Sequence, residues 1–291
     1  MTKTTNQKRF ENWLASLETE SNYKKFLTKD MIRKLLSLKD EKLEKQEYPK
    51  TIIDPLSLAL EFYKEQSDDD YKRIIEGIQS GQIISLEKGK SYIDTKSGNT
   101  YILLNHDDSD VFCLVHEFAH FIDRNHKPAI VLDSHWFLAE SYAFYMEKRL
   151  EKFLSERGYH ALVQTRRNNR IVSETKTLTA IENQLFYEEQ YQKTKNIETI
   201  SFEAKKIKTI LPYHMTNLVN VLLSYPLANI LSEYLINHSI SFLEQEFVEV
   251  CTRVNLYDAL DEFNQFKQDS VNDNEVSQKH PSKLSIYPKK L

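Results

Sequence analysis

Apolar residues recur three and four positions apart over most of the chain, the spacing of helices that bury one face. Phe10, Trp13, Leu14 and Leu17 follow it, as do Met31, Leu35 and Leu36, so residues up to about 38 are expected to be helical. A charged stretch over 39–50 separates these from Asp54-Pro55, an N-cap acid followed by proline at the first helical position. That pair predicts a helix to about residue 66. A second helix is expected from Ser67, with Tyr71, Ile74 and Ile75 turned inward and Gly81 as its end. The pattern then shortens. Ile83-Ile84-Ser85-Leu86, Tyr92-Ile93 and Tyr101–Leu104 are β-like runs punctuated by Gly89 and Ser97-Gly98-Asn99. Helical spacing returns over roughly 110–125, 134–156, 174–194, 200–210, 218–237, 239–253 and 257–266. From residue 268 the apolar period is lost and a mobile tail is expected.

Composition agrees with long helices, because 5 Gly and 7 Pro in 291 residues leave little turn material. The expected fold is mainly α: a helical bundle around a cleft, with a small β-sheet or hairpin beside the helix that starts near residue 110. One unit is expected over 1–267, with N-terminal helices to residue 80, a central core over 81–157 and C-terminal helices over 158–267. Residues 268–291 form the tail.

A formal net charge of −4 provides no basic footprint for nucleic acid or an anionic membrane. The apolar stretch 218–236 carries Asn220, Pro226, Asn229 and Glu233, which fits a buried helix better than a membrane span. The first ten residues are polar, unlike a signal peptide, so the expected compartment is the cytoplasm. Cys113 and Cys251 lack metal-ligand spacing and are expected to be reduced core residues. Nothing in the chain sets an oligomeric state.

One segment carries chemistry: Asp110-Val-Phe-Cys-Leu-Val-His116-Glu117-Phe118-Ala119-His120. Two histidines four apart on a helix project from one face about 6 Å apart along the axis, close enough to share one zinc ion. Zinc lowers the pKa of a bound water, and Glu117, between the two ligands, is placed to take its proton as general base. The helix itself is convincing, with Val111, Leu114, Val115, Phe118 and Ile122 as the apolar stripe. A catalytic zinc needs a third protein ligand, and Asp123, His126, Asp133, His135, Glu140 and Glu147 are downstream candidates. Asp123 and His126 sit on or just past the same helix and would point poorly at its earlier turns. An antiparallel return of the next helix favours Glu140, leaving Glu147 to orient a ligand histidine.

These residues resemble the thimet oligopeptidase and oligoendopeptidase F family of zinc peptidases. The likeness runs from about residue 71 to residue 147. It rests on Glu87-Lys-Gly-Lys90 with Tyr92, on Tyr101-Ile-Leu-Leu-Asn105, on Asp110-Val-Phe leading into the zinc helix, and on Ala139-Glu140 followed by Glu147. Ala119 stands where that family usually has Gly, the chain is shorter, and so is the connection from His120 to Glu140. The resemblance implies a helical bundle enclosing a channel, one zinc ion, and cleavage of short unfolded peptides. It also implies late His and Tyr donors to the oxyanion, for which His214 and Tyr225 are the counterparts. By the same likeness Tyr101, Ile102, Leu103 and Leu104 form an edge strand that binds substrate by backbone pairing. Two other readings compete: a regulatory metallopeptidase that cuts one protein such as a repressor, and a degenerate, peptide-binding module.

Overall fold

The structure is a computed structural model that describes residues 29–39, 43–49, 53–94, 97–126, 136–194, 218–239, 254 and 258–263. Within these the chain is mainly helical, with one small sheet. Helix α1 spans Lys29–Leu36, α2 Pro55–Gln66 and α3 Asp68–Gln79. Strands β1 (Ile83–Leu86), β2 (Tyr92–Ile93) and β3 (Thr100–Leu103) follow. Then come α4 (Asp110–His126), α5 (Trp136–Glu156), α6 (His160–Thr194) and α7 (Leu218–Asn237). Residues 258–263 are again helical. The helices expected over 200–210 and most of 239–253, and the tail from 268, lie outside the described residues.

Local chemistry explains the first boundaries. The Asp54 carboxylate accepts from the amides of Leu56 and Ser57 at 3.1 and 3.2 Å, capping α2 with Pro55 at its first turn. Ser67 caps α3, receiving the Asp70 amide at 3.2 Å, and Gly81 ends that region with φ 74°. Ile74 is fully buried, while Tyr71 and Ile75 are only half-buried. The chief departure is α6, which begins at His160 rather than near 174. Arg166-Arg167-Asn168-Asn169-Arg170 interrupts its apolar period, yet Asn169 and Arg170 are buried, and ion pairs and hydrogen bonds to neighbouring elements hold the segment.

The sheet order is β1-β3-β2, with β1 parallel and β2 antiparallel to β3. Strand β3 is therefore central. The expectation that Tyr101–Leu104 is an open edge is corrected by this topology. Thr100 and Ile102 face inward and are buried, and Tyr101 stacks on Tyr92 with ring centroids 4.6 Å apart.

Helix α4 runs through the core. Val111, Phe112, Leu114, Val115, Phe118, Ala119, Phe121 and Ile122 are all buried, so it packs on several sides at once. The Tyr63 hydroxyl of α2 donates to the Val115 carbonyl at 2.9 Å. Gly77 of α3 lets the Phe121 ring approach closely, since a Cβ there would stand 2.5 Å from it. Helix α7 lies along α5 with Leu227, Ala228, Ile230, Leu231 and Leu235 buried, and Lys148 pairs with Glu233 between the two. Among the described residues no helix is long and apolar enough to cross a membrane.

Candidate metal centre

The turn from β3 into α4 is held by one carboxylate. Asp110 accepts from the amides of Asn105 and His106 at 2.7 and 2.8 Å, with His106 at φ 59°. The sheet is thereby fixed against the first turn of the helix that carries the histidines.

Two turns further, three donor atoms converge. His116 Nε2 and His120 Nε2 are 3.1 Å apart. Glu140, from the start of α5, brings Oε2 to 3.4 Å from His116 Nε2 and Oε1 to 3.6 Å from His120 Nε2. Tetrahedral zinc with ligand bonds near 2.1 Å spaces its ligand atoms about 3.4 Å apart. His116, His120 and Glu140 thus lie within metal-binding distance of one another. The Oε2 atom of Glu140 is buried with only His116 Nε2, at 3.4 Å, beside it, so the carboxylate needs either a protonated His116 or a bound cation to offset its burial. The donor set, two imidazoles and one carboxylate, suits zinc with a further position left open.

Glu147, two turns along α5, receives the other nitrogen of His116, with Nδ1 2.8 Å from Oε1. With a metal bound, donation from Nδ1 to Glu147 would leave the Nε2 lone pair aimed at the centre. The opposite oxygen of Glu147 accepts from Arg166 Nε at 3.1 Å, Arg166 Nη2 at 2.6 Å and Arg170 Nη2 at 2.7 Å. Burial would raise the Glu147 pKa, but the two guanidinium charges outweigh it and hold the carboxyl well below its usual range. His120 moves to about 4 through burial, which its neighbour His116 reinforces. His116 moves the other way, to about 10, because Glu140 and Glu147 on either side overcome its burial.

Glu117 is half-buried beside this group. Burial raises its pKa, an effect that the His116 charge opposes, and its carboxylate hydrogen-bonds Ser91. Ser91 Oγ in turn accepts from the Leu103 amide at 3.0 Å. Cys113 Sγ donates to the Leu103 carbonyl at 3.4 Å, and burial pushes its thiol up to about 12, which marks a packed, unreactive cysteine. Cys251 lies outside the described residues.

The strand expected to bind substrate is engaged elsewhere. Ile102 is core, Leu103 gives its amide to Ser91 and its carbonyl to Cys113, and the Leu104 amide donates to the Leu86 carbonyl at 3.4 Å. Tyr101 pairs with β1 on one side and β2 on the other. No added strand fits along β3; the outer sides of the sheet belong to β1 and β2. Tyr225 stands one ring away from the histidines: it packs edge-on against Phe144 at 6.4 Å, and Phe144 packs edge-on against His116 at 5.6 Å. His214 lies outside the described residues.

Ser91, Arg166 and Arg170 are partners of this centre that the sequence reading passed over. A signal existed for the arginines. Glu140, Glu147 and Glu151 repeat at spacings of seven and four on one helix, and Arg166 and Arg170 form a complementary pair four apart on the next. Comparison with protein-family models, with curated proteins and with solved structures finds no match to this chain.

Proposed function

We propose that this chain is a zinc-dependent metallopeptidase that hydrolyses peptide bonds in short, unfolded peptides. One observation carries the proposal: His116, His120 and Glu140 converge at ligand spacing while Glu117, beside them, is kept out of the ligand set. A site that merely stored a metal has no need of that carboxylate.

When bound, zinc would polarise the scissile carbonyl and lower the pKa of a coordinated water toward neutrality. The protein's own residues do the rest. Glu140 supplies negative charge to the centre, and Glu147 fixes the tautomer and plane of His116. Glu117 takes a proton from the attacking water and returns it to the leaving amine, a task that its burial-raised pKa favours. His214 and Tyr225 are the proposed donors to the developing oxyanion; the Tyr225 ring packs edge-on against Phe144, which packs edge-on against His116. The resemblance to the oligopeptidases directs the choice of peptides over folded proteins.

The test is zinc content of the purified protein together with digestion of a mixed peptide library and of intact proteins. One zinc per chain and cleavage confined to peptides is the expected outcome. A zinc-loaded protein that cuts neither overturns the proposal.

A further inference from the structure

We propose that Arg166 and Arg170 are positioning residues of the metal centre, holding His116 in place through Glu147. The inference rests on the metal centre described above and extends it to helix α6.

The two oxygens of Glu147 have separate duties. Oε2 collects three N–H groups from two guanidiniums, at 3.1, 2.6 and 2.7 Å. Oε1 is left to His116 Nδ1 at 2.8 Å. One arginine would suffice to neutralise one carboxylate. A second arginine aimed at the same oxygen adds directional constraint, because planar guanidinium groups from two points on α6 stop the carboxylate from rotating. With the carboxylate fixed, the His116 ring plane is fixed, and Nε2 stays directed toward Glu140 and His120.

Both arginines are braced. The Arg170 guanidinium lies 5.3 Å from the centroid of Phe144, whose ring packs edge-on against His116. It also approaches Glu151, with Nη1 3.2 Å from Oε1. Arg166 lies 5.2 Å from the centroid of Phe112 and hydrogen-bonds Tyr48. The segment carrying Tyr48 is itself strapped to α6. Asn169 accepts from the Gln46 amide at 2.7 Å and donates to the Gln46 carbonyl at 2.9 Å, while Asn168 donates to the Gln46 side chain at 2.9 Å. A continuous set of contacts therefore leads from residues 46–48 through Arg166 and Glu147 to His116. Arg167 is the natural control, since it points to Glu151 at 2.8 Å and makes no contact with Glu147 among the hydrogen bonds of this helix.

The experiment measures zinc affinity by competition with a chromogenic chelator, and the visible spectrum of the cobalt-loaded protein, in wild type, Arg166→Met, Arg170→Met and Arg167→Met. Removing a partner that orients a metal ligand lowers metal affinity about 10- to 100-fold, and an effect near the lower end is expected for each of Arg166 and Arg170. The cobalt band should shift in both, and Arg167→Met should match wild type in both readouts. Arg166→Met and Arg170→Met each leave Glu147 with a single arginine and cost stability, so Arg166→Lys and Arg170→Lys are measured alongside. Lysine keeps the charge but loses the planar fork, so a several-fold loss of zinc affinity with a shifted cobalt band is expected at unchanged melting temperature. Wild-type affinity and spectrum in the folded variants overturn the proposal. So do lysine variants that fail to fold, because the arginines would then serve the fold alone. A wild-type protein that binds no zinc overturns instead the reading of the metal centre beneath it.

Discussion

The amide of Leu103 donates to the hydroxyl of Ser91 at 3.0 Å, and that hydroxyl is hydrogen-bonded to the carboxylate of Glu117. An ionised carboxylate only accepts, so the hydrogen bond between the two uses the hydroxyl proton of Ser91. The central strand thus orients the proposed base rather than the substrate.

Ser91→Ala removes that orientation without touching a ligand. Losing one such hydrogen bond, worth about 1 kcal/mol, should lower kcat roughly fivefold to tenfold while KM and zinc content stay near wild type. Steady-state kinetics on metal-analysed protein decides it, and Ser91→Thr should restore most of the loss. An Ala variant with wild-type kcat removes Ser91 from any part in the reaction.

Glu140 and Glu147 differ in kind although both are buried on one face of α5. Glu140→Gln is expected to lose zinc almost completely on dialysis, since a neutral amide replaces an anionic donor. Glu147→Gln keeps the shape and an acceptor for His116, so zinc affinity should fall by about 10- to 100-fold and no further. Metal content through a dialysis series compares the two; earlier loss from Glu147→Gln would invert the assignment.

Zinc uptake should release protons. In the metal-free protein His116 is protonated at pH 7, its pKa raised to about 10, whereas His120, lowered to about 4, is already neutral. Glu140 is ionised, since burial raises its pKa but the hydrogen bond and charge of His116 outweigh that. Binding therefore displaces about one proton, and log K should climb about one unit per pH unit from about pH 6 to pH 9 before flattening as His116 loses its proton unaided. Calorimetry in buffers of different ionisation enthalpy counts the protons. No release at pH 7 contradicts the flanking of His116 by two carboxylates.

What could be read in the chain was whatever a local pattern encodes. Asp54-Pro55 marked the start of α2, Ser67 that of α3, and the His116–His120 spacing set two donors on one turn, because caps and helical periods act within a few residues. Glu140 and Glu147 were legible as well, through their two-turn separation. Strand pairing was not: the runs 83–86, 92–93 and 101–104 were visible, yet no feature of Tyr101–Leu104 says that it lies between the other two. That order depends on contacts across the sheet. The start of α6 was hidden for a related reason. Arg166 and Arg170 break the apolar period, and only the buried carboxylate of Glu147, nineteen and twenty-three residues earlier, explains why a helix carries them there.

The most direct test of the proposed peptidase is mass spectrometry of a mixed peptide library incubated with zinc-loaded wild type and with zinc-loaded Glu117→Gln. General-base catalysis is worth roughly 10²–10⁴-fold, so Glu117→Gln should keep its zinc and cut peptides slower by that factor. Equal cleavage by the two proteins at equal zinc content, or none by wild type carrying one zinc per chain, would contradict Glu117 as the base of a metallopeptidase.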